Sequence, residues 1–432
     1  ARAAPPLEAY SAMPAIEYME LSPSGDLMAR VTVVGERRAV VVSRISTGEH
    51  LAAAPVGEAK VRDVRWVGED RVLIITSQTR AIATLGVPRS ELYFGLVLDI
   101  ATRDVVQVLD RTTGVLGVLV GPTSVRKTGH GDALFVRGVS LVESRRIDLF
   151  EVDPATGRGR VALEMDRDVS DYVLDGEGQV AAMARYDERR GRWTLLLPLG
   201  RSGFRTAWEV DAPVDTPTFL GMGRTPRTVV VSASRPDLQV EGEKPETSDV
   251  LFEIDIDTGA WTPLAFKEHP DFLLHHPATR LLVGGGRSDD DGVRYEFVDA
   301  EAASRWTSIE RAFAGKAPQL VSWSHDLRQV VVFTDVGESG VYQIVDFDRG
   351  VADILADAYP AIPADQVGAI RSIRYQAADG LEIHGYLTLP PGVEEPANLP
   401  LVVLAHGGPA SRDVMGFDWW AQALASRGYA VL

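Results

Sequence analysis

Cysteine is absent from this chain of 432 residues. Without thiols, the chain cannot contain a disulfide framework, a thiolate zinc site, an iron–sulfur cluster or a cysteine nucleophile. Any covalent catalysis by these residues would therefore have to use another side chain.

Long apolar runs and a surplus of basic residues are also missing. No apolar run approaches the ~18 residues that a bilayer-crossing helix needs, so the sequence predicts no membrane span. Lys and Arg number 44 and Asp and Glu number 61, which gives a formal charge of −17. Nucleic acid is not an expected partner, because binding phosphate requires clustered Lys and Arg.

Glycine and proline are abundant, at 40 and 25 residues, in a chain that is 45% hydrophobic and 24% charged. This composition excludes wholesale disorder. It favours a turn-rich β protein over a helical bundle.

Two short patterns alternate along the chain, and each occurs seven times. The first is a turn followed by a strand: LSPSGDLMARV (21–31), VRWVGEDRVLIIT (64–76), VRKTGHGDALFV (125–136), VLDGEGQVAAMARY (173–186), LGMGRTPRTVVVSAS (220–234), LLHHPATRLLVGG (273–285) and VSWSHDLRQVVVF (321–333). The second is an apolar strand that runs into a tight turn: VVVSRISTGE (40–49), LVLDIATRD (96–104), LFEVDPATG (149–157), LLLPLG (195–200), LFEIDIDTG (251–259), YEFVDAEA (295–302) and YQIVDFDRG (342–350).

The turns of the second pattern, near residues 47 to 349, follow one another at a mean step of about 50 residues, the length of a four-stranded propeller blade. A single blade cannot bury both faces of its sheet, whereas blades packed in a ring can. The repeat therefore predicts an all-β, seven-bladed β-propeller over residues 15–357. A generic pair of β-sandwiches is the alternative, but it does not account for seven paired copies at a near-constant step.

The sequence changes character after residue 357. Residues 358–369 contain proline and mixed polarity, and they predict a linker. Two alternating runs then flank Asp379-Gly380, which predicts a β-hairpin. The continuous apolar run LPLVVLA (399–405) predicts a strand buried on both faces.

A helix and a further strand are predicted near the end of the sequence. The segment FDWWAQALASR (417–427) has helical spacing, with Trp420, Leu424 and Phe417 on one face. One of Trp419 and Trp420 is expected to pack in the core and the other to line a cleft, and the sequence does not decide which. Gly428 stands where a helix would end, and YAVL begins another strand.

The turn His406-Gly407-Gly408-Pro409 lies between the predicted strand and the predicted helix. Glycine lets a substrate carbonyl approach the main chain, because no Cβ stands in the way. Backbone N–H groups in such a turn can stabilise the oxyanion of a tetrahedral intermediate. The alternative is a tight strand-to-helix connection that binds no ligand.

The order of these segments resembles the prolyl oligopeptidase family of serine peptidases, in particular its acylaminoacyl-peptidase and dipeptidyl-peptidase-like branch. The resemblance is carried by SPSG (22–25), WVGEDRVL (66–73), WSHD (323–326), IRYQAADGLEIHGYLTLP (373–390), LVVLAHGGP (401–409) and SRGYAVL (426–432). It implies a seven-bladed β-propeller followed by the first part of an α/β-hydrolase domain over residues 370–432, with residues 1–14 packing on the hydrolase part.

The resemblance also implies an activity. The family hydrolyses short peptides through an acyl-enzyme, and its propeller gates access. The backbone N–H of Gly408 or Gly407 would donate to the oxyanion, and His406, Trp419 and Trp420 would line the cleft. Peptide is the expected partner, and neither a cofactor nor a metal is implied. An isopeptidase or esterase on the same fold, or a non-catalytic propeller that binds a peptide or protein, remains an alternative.

The chain departs from the family in one respect. The family's nucleophile lies in a G-x-S-x-G-G elbow, followed by an Asp and a His, and no G-x-S-x-G occurs in these 432 residues. No catalytic residue is therefore assigned in this chain. We expect the Ser, Asp and His beyond Leu432, in a longer protein that has about one further domain.

The histidines in the repeats and the two acidic runs are not assigned to a catalytic or metal site. His275, His276 and His325 occupy blade turns, and no H-x-x-x-H or H-E-x-x-H pattern predicts a metal site. The acidic loop 241–249 is expected to be solvated, with attraction of a substrate amine as the alternative. The run Asp289-Asp290-Asp291 fits no calcium loop.

The beginning ARAAPP is compatible with the mature end left by signal-peptide cleavage or with an arbitrary boundary. We expect a periplasmic or secreted protein, with a cytoplasmic one as the alternative. The sequence leaves a homo-oligomer open.

Overall fold

The computed structural model describes residues 3–82, 87–141, 146–200, 203–235, 237–238, 250–408 and 411–432. Strands account for 51% of the described residues and helices for 7%, and the many antiparallel sheets match a propeller-like domain. The acidic loop 241–249 and Pro409 lie outside the described residues. No helix among the described residues is both long enough and apolar enough to cross a bilayer.

The chain divides into two compact units. The first comprises Ala1–Ala59, Gly286–Tyr295 and Ala300–Leu432, and the second comprises Lys60–Gly285 and Glu296–Asp299.

Two four-stranded antiparallel sheets of the first unit come from distant parts of the sequence and pack together. Leu21 N–H donates to Ser322 Oγ at 3.0 Å, and Ala15 N–H donates to Ala358 O at 2.7 Å. Their shared core includes buried Met19 and Ile344. One sheet contains β1 Ile16–Leu21, β2 Leu27–Val34, β3 Arg37–Arg44 and β4 His50–Gly57; the other contains β25 Gln319–Trp323, β26 Gln329–Thr334, β27 Val341–Asp346 and β28 Val351–Asp357.

The second unit holds one large sheet and two four-stranded sheets, all antiparallel. The large sheet has nine strands: β5 Lys60–Val67, β6 Arg71–Ile82, β7 Val87–Asp99, β8 Val105–Gln107, β9 Val115–Leu119, β10 Ser124–Thr128, β11 Gly131–Ser140, β12 Arg146–Val152 and β13 Gly159–Leu163. The four-stranded sheets contain β14 Val169–Leu174, β15 Val180–Asp187, β16 Arg192–Leu199 and β17 Gly203–Asp211, and β18 Thr218–Met222, β19 Thr228–Ala233, β20 Val250–Asp255 and β21 Trp261–Pro263.

A three-stranded sheet follows, and it corrects one sequence prediction. It contains β22 Phe272–His275, β23 Leu282–Asp289 and β24 Gly292–Phe297, and helix α2 (Ala300–Ala312) comes next. The tight turn predicted near residue 301 was therefore wrong. The alanine-rich segment instead buries Ala302, Trp306 and Ile309, whose spacing is helical.

The remainder of the first unit is a small mixed sheet with two short helices. Its strands follow the order β29-β30-β32-β31, and β31 pairs with β32 in parallel. The predicted hairpin is confirmed, with Gly380 at a positive φ in its turn. The elements are α1 Leu7–Ser11, β29 Ile370–Gln376, β30 Glu382–Thr388, β31 Leu401–Val402, α3 Trp419–Ala425 and β32 Ala430–Val431.

Strand β31 is shorter and more exposed than the sequence predicted. Leu401 is 55% exposed and Val403 is 65% exposed. The reason is position, because β31 is the edge strand of the described sheet and has only β32 beside it.

Helix α1 packs against helix α3, and Arg427 Nη2 donates to Pro5 O at 2.7 Å. Tyr10 of α1 is 1% exposed. The first residues of the chain are thereby joined to the segment that follows the glycine turn.

Candidate active site

Three residues separate strand β31 from the glycine turn, whose main chain is open at Gly407. His406, Gly407 and Gly408 are all exposed. A Cβ built on Gly407 meets no atom within 4 Å, and its φ lies outside the left-handed region. His406 Nδ1 donates to Gly407 O at 2.7 Å, which fixes the imidazole on the turn. The Gly407 main chain is therefore accessible to a substrate carbonyl, as an oxyanion site requires.

The turn borders a cavity of about 890 Å³. Strands β30 and β32 and the segment 412–418 supply much of its wall, and Asp335 contributes from the loop after β26. Of the three residues predicted to line a cleft, His406 and Trp420 border this cavity. Trp419 stacks on Trp420, with centroids 6.0 Å apart, but it is not part of the lining that the structure describes.

Helix α3 does not bury the face on which the sequence placed Trp420. Trp420 is 56% exposed, and the helix buries Ala421, Gln422 and Ala425 instead. The small alanines suit a close contact with α1, and Gln422 is buried because its amide is paired. Phe417 stacks on Tyr359, with ring centroids 5.0 Å apart, outside the helix itself.

The Gln422 side chain fixes α3 to the linker through a reciprocal pair of hydrogen bonds. Gly368 N–H donates to Gln422 Oε1 at 2.7 Å, and Gln422 Nε2 donates to Gly368 O at 3.0 Å. A side chain could not replace hydrogen at Gly368, because a Cβ there would lie 1.9 Å from Leu389 O. This pair sets the position of the helix that follows the glycine turn.

We expect Gln422→Ala to destabilise the full-length protein by about 1–3 kcal/mol for each main-chain group of Gly368 that loses its buried partner. Urea unfolding followed by circular dichroism measures the loss. Gln376→Ala, which truncates an exposed glutamine in β29, is the matched control. Equal unfolding free energies for the two variants would contradict this role of Gln422.

Asp335 is a half-buried carboxylate at the cavity wall. Its Oδ2 accepts from Phe417 N–H at 3.1 Å, and a Cβ on Gly416 would lie 2.4 Å from the same oxygen. Its Oδ1 is buried and has no hydrogen-bond partner among the described residues. Burial raises the pKa of Asp335, the Phe417 N–H opposes that rise, and the Glu338 carboxylate adds to it.

This raised pKa predicts a pH-dependent effect of Asp335→Asn. A carboxyl whose pKa is higher in the folded state stabilises the fold at low pH, and that contribution is lost as the pH rises through the folded-state pKa. Asparagine cannot ionise, so the stability of the variant relative to the parent should increase from pH 4 to pH 8. Urea titrations across that range test this.

Asp335→Ala provides the control for this titration. It removes the charge together with the acceptor for Phe417 N–H, so it should be less stable than Asp335→Asn at every pH and show the same trend. A stability difference between Asp335→Asn and the parent that does not change with pH would contradict the account.

Comparisons with known proteins find relatives of this chain. No protein-family model matches the sequence. The chain is similar to dipeptidyl aminopeptidase BIII of Pseudoxanthomonas mexicana, with 26% identity over 300 residues that cover 66% of this chain and 41% of that protein. It is similar in structure to a prolyl endopeptidase, at a TM-score of 0.58 and 12% identity, over 99% of this chain and 63% of that one.

A puromycin-hydrolyzing peptidase of Mycobacterium tuberculosis gives the same TM-score of 0.58 at 14% identity, over 99% of this chain and 67% of that one. The relatives of this chain are prolyl oligopeptidase family peptidases. The resemblance predicted from the sequence motifs is confirmed. At these identities the solved structures show the fold alone, and the chain spans 41% of the curated relative's length.

Sequence reasoning missed two carboxylates. Asp335 follows a strand in one of seven similar repeats, and nothing in the repeat distinguishes it. Asp290 was considered only as part of a calcium loop, whereas the structure places it against three basic side chains. Among the described residues, no group of three or more His, Cys, Asp or Glu could hold a metal ion.

Proposed function

We propose that this chain is the propeller and the first hydrolase part of a serine peptidase that cleaves short peptides through an acyl-enzyme. The observation that carries the proposal is the exposed Gly407-Gly408 pair, of which Gly407 borders a cavity, in a chain whose relatives are peptidases. The proposed oxyanion donors are the N–H groups of Gly408 and Gly407.

The proposed chemistry is acyl transfer. A serine hydroxyl attacks the scissile carbonyl, a histidine takes the serine proton and returns it to the leaving amine, and a carboxylate orients the histidine. We propose that these three residues follow Leu432, because no nucleophile elbow occurs in these 432 residues and the relatives are longer than this chain. The turn contributes stabilisation of the negative charge on the carbonyl oxygen.

The proposed architecture is a seven-bladed propeller over residues 15–357, a linker over 358–369 and an α/β-hydrolase domain that begins at 370. The nine-stranded sheet counts as two blades in this proposal, because it contains two copies of each repeat pattern. The packing of the sheet of β1–β4 against that of β25–β28 supports the joining of first and last blades. The contact between α1 and α3 supports the packing of residues 1–14 on the hydrolase part. Gating by the propeller would admit short peptides only.

Kinetics with the full-length protein test the proposal. Peptide p-nitroanilides should be hydrolysed, and a fluorophosphonate should abolish the activity. Matched ester and isopeptide substrates decide between a peptidase and the alternative esterase or isopeptidase. If the protein binds peptide saturably but neither turns it over nor reacts with the fluorophosphonate, the peptidase proposal is wrong and a non-catalytic propeller that binds peptide takes its place.

A further inference from the structure

The carboxylate of Asp290 joins three basic side chains in the first unit. It lies in the Asp289-Asp290-Asp291-Gly292 turn between β23 and β24. Its Oδ2 accepts from Arg374 Nη2 and from His384 Nδ1, both at 2.9 Å, and its Oδ1 accepts from Arg412 Nη2 at 3.1 Å. The Asp290 side chain is 24% exposed, and its three partners are 44–58% exposed, so the carboxylate is the most shielded member of the network.

The neighbouring carboxylates of the same turn have a different partner. Asp289 and Asp291 both pair with Arg294, which belongs to their own hairpin. Of the three aspartates in the turn, Asp290 is therefore the one whose side chain reaches the β29–β30 hairpin and the segment after the glycine turn.

The partners of Asp290 include both hairpin strands. Arg374 and His384 are directly opposite each other in the β29–β30 register. Glu382 also contacts both, at 3.4 Å from Arg374 Nη1 and 3.2 Å from His384 Nε2. Arg374 and His384 therefore have a second carboxylate partner, Glu382, besides Asp290. Arg412 differs, because Asp290 is the single carboxylate with which it pairs among the described residues.

Arg412 is the link to the candidate site. It lies four residues after Gly408 and borders the same cavity as His406 and Gly407. The segment after the turn is held at Phe417 by Asp335 and Tyr359, and the charge-assisted hydrogen bond from Arg412 to Asp290 restricts it nearer to the turn. An isolated surface ion pair contributes little stability. We therefore expect the pair of Asp290 and Arg412 to fix the position of the segment after the turn and not to stabilise the fold.

We propose that Asp290 is a positioning residue that holds the oxyanion turn through Arg412. This inference rests on the proposed function. Asp290 touches no reacting atom; it connects the β23–β24 hairpin to the segment that carries the turn. Loss of the contact would let the turn leave its productive position, and misplacement by about 1 Å can reduce turnover about a hundredfold.

The test compares Asp290→Asn with Asp291→Asn in the full-length protein. The two variants remove the same charge from the same turn, but only the first removes the carboxylate that pairs with Arg374, His384 and Arg412. We expect Asp290→Asn to lower kcat by about 10-fold to 100-fold, with KM changed by less than about twofold. Asp291→Asn should stay near the parent, and Asp290→Glu should recover part of kcat.

Hydrogen exchange gives a readout that does not need activity. Peptides spanning residues 403–416 should exchange faster in Asp290→Asn than in Asp291→Asn or the parent. If Asp290→Asn does not fold, Arg412→Gln, at an exposed position, carries the same two measurements. If the parent protein hydrolyses no peptide, the proposed function is wrong. Hydrogen exchange would still show whether the contact between Asp290 and Arg412 restrains the segment. Equal kcat and equal exchange in Asp290→Asn and Asp291→Asn would overturn the inference.

Discussion

Replacing Gly408 by valine should reduce kcat/KM for peptide hydrolysis by about a hundredfold or more, the scale of losing one oxyanion donor. A branched side chain on this turn would stand between the main-chain N–H groups and the substrate carbonyl. Folding should be retained, because Gly408 is exposed and lies outside the strands and helices. Steady-state kinetics of the full-length protein, with circular dichroism as the folding check, measure both effects.

Two further variants make this result specific. Gly407→Ala adds a Cβ into open space at an ordinary φ, so any loss of activity reports on the approach of substrate and not on strain. Gly129→Val is the matched control, because Gly129 also has open surroundings and lies in the β10–β11 hairpin turn of the second unit. Activity in Gly408→Val equal to that in Gly129→Val would place the oxyanion contact elsewhere.

Truncation of Trp193 to alanine should cost about 3–5 kcal/mol of unfolding free energy, the range for removing a large buried aromatic side chain. Trp193 is 2% exposed in β16. Its ring lies 5.9 Å from those of Trp208 in β17 and Phe219 in β18, so it joins two neighbouring sheets. The loss combines the transfer free energy of the indole with the cavity left between the sheets.

Guanidinium unfolding followed by circular dichroism measures this effect. Trp193→Phe is the matched variant, since it keeps an aromatic ring in the same place and should lose less than half as much stability. A loss below about 1 kcal/mol in Trp193→Ala would mean that the two sheets do not depend on this contact.

Local signals in the sequence predicted the local structure well. Asp379-Gly380 predicted the hairpin, because a tight turn needs a residue at positive φ and Gly380 supplies it. The alternating turn and strand patterns predicted the antiparallel sheets, because a tight turn joins two strands that run in opposite directions. Where the pattern met a stronger helical signal, at Ala300–Ala312, the repeat was misleading and the spacing of Ala302, Trp306 and Ile309 decided the structure.

Long-range contacts could not be predicted in this way. The buried face of α3 depends on Gly368, which is 54 residues from Gln422, and on α1 at the other end of the chain. Without those partners, the sequence could not decide which of Trp419 and Trp420 would be buried, and both are exposed. The contacts of Asp290 have the same character, since Arg412 is 122 residues away. The candidate turn itself was predictable, because its glycines are adjacent in sequence and follow a strand.

Phosphonylation of the full-length protein tests the central claim most directly. After treatment with a fluorophosphonate, intact mass spectrometry and peptide mapping locate the adduct. The account predicts one adduct per chain, on a serine after Leu432, formed more slowly in Gly408→Val and prevented by a peptide substrate. The absence of an adduct, or an adduct on any of the 432 residues of this sequence, would contradict the account.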